Sequence, residues 1–121
     1  MRTSKADFEK FKGYCLKWQR ELGLDDWHIY VFHKPIKDSF ADTATSVSGR
    51  GATIQFNTTW HDRPLSDKEI EECALHEVMH IVTAPLINEA RARFADEYSM
   101  EAAEHAIVTR LTNYITRLKN V

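Results

Sequence analysis

Cysteine, glycine and proline are all scarce in this chain of 121 residues. The two cysteines, Cys15 and Cys73, are too few for a disulfide framework and fit a reducing compartment. Four glycines and three prolines exclude a collagen-like or low-complexity chain. Hydrophobic residues make up 43% of the sequence and charged residues 28%, which are ordinary values for a globular domain. At this length we expect a single domain spanning residues 1–121.

The chain also lacks a surplus of charge and a long apolar run. Its net charge of −2 argues against nucleic acid or an anionic membrane surface as a partner. No stretch reaches the roughly eighteen apolar residues that a bilayer-spanning helix needs. The segment 1–12 carries six charged side chains and no apolar core, unlike a secretory signal peptide. We therefore expect a cytoplasmic protein with no nucleic-acid partner and no membrane partner.

Hydrophobic periodicity predicts three helices. Apolar residues recur at helical spacing in three segments, which are residues 5–22, 66–83 and 88–119. Ser66 and Glu69 form a capping box at the start of the second helix. Pro85 is expected to end that helix, because proline disfavours the helical conformation in the residue before it. The second half of the helix is apolar nearly all round, so we expect it to be buried on most sides.

Three short segments between the first and second helices predict a small sheet. Residues 27–33 are rich in aromatic and β-branched side chains and indicate a strand. Residues 44–48 and 52–57 flank a glycine-rich turn and indicate a hairpin. The predicted fold class is therefore α+β, with an N-terminal helix, an antiparallel three-stranded sheet, and helices on one face of that sheet.

The segment His76-Glu77-Val78-Met79-His80 lies midway along the second predicted helix and has the residue types and spacing of a metal site. Residues four apart share a helix face, so both imidazoles project the same way. Zn²⁺ takes imidazole nitrogens at about 2.0–2.1 Å, and this spacing presents two of them without distorting the backbone. Glu77 lies about 100° around the helix axis, where it can act as a general base on the attacking water without being a ligand. The competing interpretation is a pair of core histidines satisfied by hydrogen bonds.

A catalytic zinc site usually has three protein ligands, and the last helix is the expected source of the third. Its predicted apolar stripe consists of Ile107, Leu111, Tyr114, Ile115 and Leu118. On a helical projection Glu104 falls within this stripe and Glu101 at its flank, whereas His105 faces away. A carboxylate in an apolar stripe is costly unless it is paired or binds a metal, so Glu104 is the first candidate and Glu101 the second. A salt bridge from Glu104 to Arg110, or to a lysine elsewhere, is the alternative.

The segments Ala74–Val82 and Glu104–Leu111 resemble the small metallopeptidases encoded in phage and prophage genomes. In plan the chain is similar to the minimal gluzincins, which are single-domain proteins reduced to the catalytic core. This resemblance implies a zincin-like fold, Zn²⁺ bound by His76, His80 and Glu104, and Glu77 as the base. In zincins a strand beside the active helix lines the cleft. The resemblance therefore implies that residues 52–57 pair with an extended peptide.

Two functions follow from these residues. The first is a zinc-dependent peptidase acting on a peptide or protein substrate, in the host cytoplasm if the chain is phage-encoded. The alternative is a metal-stabilised binding or regulatory module, because 121 residues leave little room for a substrate-binding subdomain. The stabiliser of the oxyanion is left open among four side chains, which are Tyr98, His105, Arg110 and Tyr114.

Overall fold

The computed structural model describes residues 1–60, 63–92 and 94–119, and in these ranges it contains three helices and three strands. The helices are α1 (Lys5–Glu21), α2 (Asp67–Arg91) and α3 (Glu97–Lys119). The strands are β1 (His28–His33), β2 (Ala41–Ser46) and β3 (Gly51–Phe56). The predicted α+β class is confirmed. None of the described helices combines the length and apolar character that a bilayer-spanning segment requires.

The sheet is mixed, and the prediction of an antiparallel sheet is wrong for one of its two strand pairs. The strand order is β1-β3-β2, with β3 parallel to β1 and antiparallel to β2. A four-residue turn, Val47 to Arg50, closes the predicted hairpin, and Arg50 takes a positive φ of 50° there. The chain leaves β1 by a long loop, forms β2 at the sheet edge, and returns so that β3 lies between the other two strands. This return gives β3 the direction of β1.

The helices cover one face of the sheet, as predicted. On β3 the side chains of Ala52, Ile54 and Phe56 are buried, whereas the alternating residues are half-buried. On β1 the outward residues Tyr30 and Phe32 are exposed. This period of two matches a sheet with one packed face and one face toward solvent. The core between sheet and helices also contains residues of α1 and α2, among them Phe11, Cys15, Ile70, Ala74, Val78 and Ile81.

Helix α2 continues past Pro85 and ends only at Arg91, so the prediction that it stops near Thr83 is wrong. Proline removes one helical hydrogen bond, but the flanking turn is held by buried apolar side chains, namely Ile81, Val82 and Ala84. The last helix accordingly begins at Glu97 and not at residue 88.

A serine caps the N-terminus of each of the first two helices, Ser4 for α1 and Ser66 for α2. Ser66 Oγ accepts from the backbone N–H of Glu69 at 3.2 Å, while the Glu69 carboxylate binds Arg63 rather than completing the capping box. Ser4 and Asp7 form a complete capping box at the start of α1. These caps satisfy backbone donors that the first helical turn leaves unpaired.

Candidate metal centre

The middle of α2 brings His76, Glu77 and His80 into one group. One ligand-capable atom from each residue lies within 4.8 Å of those from the other two. The two imidazole centroids are 5.0 Å apart and their planes are inclined at 82°. This proximity follows from the helix itself, since residues four apart lie one above the other on the same face.

The two histidines are exposed, whereas Glu77 is only 5% exposed. The expectation that α2 buries the histidines is therefore wrong, and the interpretation of a satisfied core pair is excluded with it. Val78, Ile81 and Ala74 face the core, which leaves His76 and His80 on the open side of the helix. Exposed imidazoles carry no desolvation cost and can be reached by an ion from solvent.

Thr43 of β2 holds the buried carboxylate of Glu77. Its hydroxyl lies 2.9 Å from Glu77 Oε1 and 3.2 Å from the Glu77 carbonyl oxygen, and it can donate to either. The contact joins the centre of α2 to the edge of the sheet across 34 positions in sequence. Sequence reasoning missed Thr43, because no motif or periodicity connects a threonine in a polar strand with the second helix.

The three side chains form a group that could hold a metal ion. Imidazole nitrogens and carboxylate oxygens are ligands that Zn²⁺ takes at about 2.0–2.2 Å. The ligand-capable atoms of the group already lie within 4.8 Å of one another, and both imidazoles are exposed to solvent. His76 and His80 would supply the nitrogen ligands.

Glu104 and Glu101 are both exposed on α3 and, within the described residues, lie outside this group. The expectation that Glu104 falls in a buried stripe is wrong, because Ile115 and Leu118 are each 53% exposed. The packed side of α3 instead runs through Ala103, Ile107, Leu111 and Tyr114. Burial thus no longer argues for Glu104, and its role as third ligand stays a prediction.

Arg110 does not serve as the partner predicted for Glu104. Its guanidinium donates to the carbonyl oxygens of Leu22 and Gly23 at the end of α1. Together with His105 it lines a separate cavity of about 770 Å³ between that end of α1 and α3. Arg110 of α3 thus hydrogen-bonds to the C-terminal end of α1 and links these two helices.

The other two candidates for stabilising an oxyanion also have positions of their own. Tyr98 is exposed in the first turn of α3. The Tyr114 ring packs edge-on against Trp18 of α1, with centroids 6.1 Å apart.

The strand beside the site is β2 and not β3. Residues 52–57 were expected to pair with a peptide, but Gly51–Phe56 is the central strand, hydrogen-bonded to β1 along one edge and to β2 along the other. That expectation is wrong, because a strand with both edges paired has no backbone groups left for a ligand. Among the described residues β2 pairs only with β3, so its outer edge is the one available next to α2.

A cavity of about 570 Å³ opens beside His76 and Glu77. Its walls come from the loop before β2, from the segment after β3, and from Cys73 of α2. Burial, reinforced by the charge of Glu77, raises the pKa of the Cys73 thiol to about 12. The thiol is therefore neutral at physiological pH and contributes an apolar wall.

Comparison with known proteins gives no match to this chain among family models, curated proteins or solved structures.

Proposed function

We propose that this protein is a zinc-dependent peptidase whose centre is the His76-Glu77-His80 group of α2. The observation that carries the proposal is the different placement of the three side chains. Two adjacent imidazoles face solvent, and between them in sequence a buried carboxylate is held by Thr43. An accidental histidine pair on a helix surface would need neither the buried acid nor the hydroxyl that holds it.

His76 and His80 would hold the metal through their imidazoles. The third ligand is expected to be a carboxylate, from Glu104 or, alternatively, Glu101. Zn²⁺ bound there would act as a Lewis acid toward the scissile carbonyl and would lower the pKa of the attacking water. Neither glutamate belongs to the His76-Glu77-His80 group, so ligation by either one requires its carboxylate to come closer to the two histidines.

Glu77 would serve as the general base. Its carboxylate accepts the proton of the attacking water and passes it to the leaving amine, so that the proton is conserved over the two steps. The hydrogen bond from Thr43 orients the carboxylate, and burial keeps it from rotating into solvent. A base held in one orientation loses little entropy on reaction.

The substrate would lie extended along the free edge of β2. Main-chain hydrogen bonds to an edge strand bind a peptide without regard to its sequence. Thr43 belongs to this strand and contacts Glu77, so a peptide bond paired near Thr43 would pass beside the base. The substrate class is therefore an unfolded or locally extended polypeptide.

The test is a comparison of Glu77→Gln with Glu72→Gln, a matched change at an exposed glutamate one turn earlier on α2. We expect Glu77→Gln to keep about one zinc per chain by elemental analysis and to lose cleavage of a denatured protein, followed by mass spectrometry. Glu72→Gln should keep both properties. His80→Ala should lose both, because one nitrogen ligand is gone.

A second candidate function is a metal-stabilised binding module, which is favoured by the position of Glu104 outside the group. In that case zinc raises the melting temperature of the wild-type protein and not of His80→Ala, yet the wild type cleaves no member of a broad peptide library. Cleavage by the wild type that Glu77→Gln abolishes would rule this candidate out.

A further inference from the structure

The cavity beside His76 and Glu77 has an aromatic side wall. The wall consists of Phe40, the last residue before β2, and Trp60, which follows β3. Their ring centroids are 4.0 Å apart and their planes are inclined at 36°. Phe40 is 37% exposed, so its ring is accessible from the cavity. We call the space bounded by Ile36, Phe40, Trp60, Cys73, His76 and Glu77 the aromatic pocket.

The composition of the aromatic pocket favours apolar ligands. Ile36, Phe40 and Trp60 present carbon surface, and the neutral Cys73 thiol adds to it. Two further lining residues, Lys37 and Asp38, are exposed and carry opposite charges, so together they add no net charge. The volume of about 570 Å³ lies within the range of about 300–1,000 Å³ that is usual for small-ligand pockets.

The wall of the pocket is formed before any ligand binds, because Asn57 fixes the loop that carries it. The Asn57 side chain, in a residue that is 6% exposed, donates to the carbonyl oxygens of Ile36 and Ser39 at 2.8 Å each. Its amide oxygen accepts from the backbone N–H of Ile36, and its own backbone N–H donates to the Phe40 carbonyl oxygen at 2.8 Å. A loop held at three residues presents Phe40 at low entropic cost to binding.

We propose that the aromatic pocket receives a large apolar side chain, preferably aromatic, from the substrate residue next to the scissile bond. The inference rests on the proposed peptidase function and narrows its substrate class to polypeptides exposing such residues, as unfolded chains do. The pocket shares His76 and Glu77 with the proposed centre, so a side chain seated in it places its own backbone beside the base. Burial of an aromatic ring against Phe40 and Trp60 adds stacking to the hydrophobic gain.

The experiment measures binding separately from cleavage, with zinc-loaded Glu77→Gln as the receptor. The probes are acetylated, amidated hexapeptides of alanine and glycine in which one central position is phenylalanine, leucine, glycine or glutamate. We expect the dissociation constant, from NMR titration, to be at least about tenfold lower for the phenylalanine peptide than for the glycine peptide. The glutamate peptide should bind no better than the glycine peptide.

Phe40→Ala is the diagnostic variant, and Phe32→Ala is its matched control. Phe32 is also an exposed phenylalanine, at 40%, but its side chain lies on the opposite, solvent-facing side of the sheet. We expect Phe40→Ala to reduce the preference for phenylalanine over glycine by about fivefold or more, and Phe32→Ala to leave it unchanged. Equal affinity for the four peptides, no binding of any of them, or an equal loss in both variants would overturn the proposal.

Failure of this inference can be told apart from failure of the peptidase function. If the wild type cleaves denatured protein with no preference for apolar residues beside the cut, the peptidase function stands and the pocket assignment is wrong. If the peptides bind with the expected preference and the wild type cleaves none of them, the pocket assignment stands and the peptidase function is wrong.

Discussion

The side chain of Thr43 illustrates how much of the candidate site depends on single hydroxyl and carboxylate groups. Glu77 is buried, and a buried carboxylate that loses a hydrogen-bond donor bears its desolvation cost in full. The Thr43 hydroxyl lies 2.9 Å from that carboxylate. At the residue scale the structure therefore shows a contact to Glu77 that the His-Glu-x-x-His spacing does not reveal.

Thr43→Val removes this hydroxyl while keeping the shape of the side chain. We expect turnover of a peptide substrate to fall about tenfold, equivalent to roughly 1.4 kcal/mol, because Glu77 is no longer held in one orientation. Zinc content should stay unchanged, since the imidazoles are not touched. Thr43→Ser should restore most of the rate.

The control is Thr45→Val, which makes the same change two residues along β2 at an exposed position. Its kcat should match that of the wild type. If Thr43→Val and Thr45→Val have the same kcat, the hydroxyl of Thr43 does not position the base.

At the scale of elements, helix α2 combines the site with an internal proline. Pro85 lies in the last third of Asp67–Arg91 and cannot donate a hydrogen bond to the preceding turn. The turn is nevertheless maintained, because Ile81, Val82 and Ala84 are buried against the rest of the core. Tertiary packing thus outweighs a local preference that on its own predicts a helix end.

Pro85→Ala is expected to stabilise the protein by about 1–3 kcal/mol in urea unfolding, because alanine restores the helical N–H and the helix preference at that position. Pro64→Ala, at an exposed position outside the helices, is the control and should give no gain. A lower unfolding free energy for Pro85→Ala would show that the native α2 requires the geometry that proline imposes.

In strand β2, too, tertiary contacts outweigh the local preference of the sequence. Its sequence, Ala-Asp-Thr-Ala-Thr-Ser, is polar and has little strand propensity. It is a strand because its hydrogen bonds with β3 run from Ala41 opposite Phe56 to Ser46 opposite Gly51, and because its inner face contacts α2. The strand that lines the proposed cleft is consequently the one with the weakest sequence signal.

At the scale of the whole molecule, the packing of α1 on α2 buries Cys15 and leaves Cys73 half-buried, and it makes the free energy of unfolding depend on pH in the alkaline range. Burial is the main cause that raises the pKa of Cys15, and burial with the charge of Glu77 raises that of Cys73 to about 12. Both thiols ionise more readily in the unfolded chain, with an ordinary pKa of 9.0. Above about pH 9 the folded state therefore retains thiol protons that the unfolded chain has lost.

The sign of the effect follows from that difference. The stability contribution is complete below about pH 9 and decreases as pH rises toward 12, by about 1.4 kcal/mol per pH unit for each cysteine. We expect Cys73→Ala to have a shallower decline than the wild type between pH 9 and 11 in urea unfolding. Lysines that also titrate there are common to both proteins and cancel in the difference. Equal slopes would contradict the raised pKa of the Cys73 thiol.

Local patterns in the sequence determine the helix α1, the inward and outward sides of β1, the hairpin after β2 and the proximity of His76 to His80. Each of these depends on residues close in sequence, through the period of a helix or strand or the chemistry of a turn. The α+β class follows from their order along the chain.

Only the tertiary structure decides the direction of β3, the continuation of α2 past Pro85, the burial of Glu77 against Thr43, and the exposure of Glu104. Each depends on which distant segments meet, and the cost or gain of that meeting is larger than the local preference. The aromatic pocket belongs to the same group, because Phe40 and Trp60 become neighbours when β2 pairs with β3, and Cys73 joins them when the sheet packs on α2.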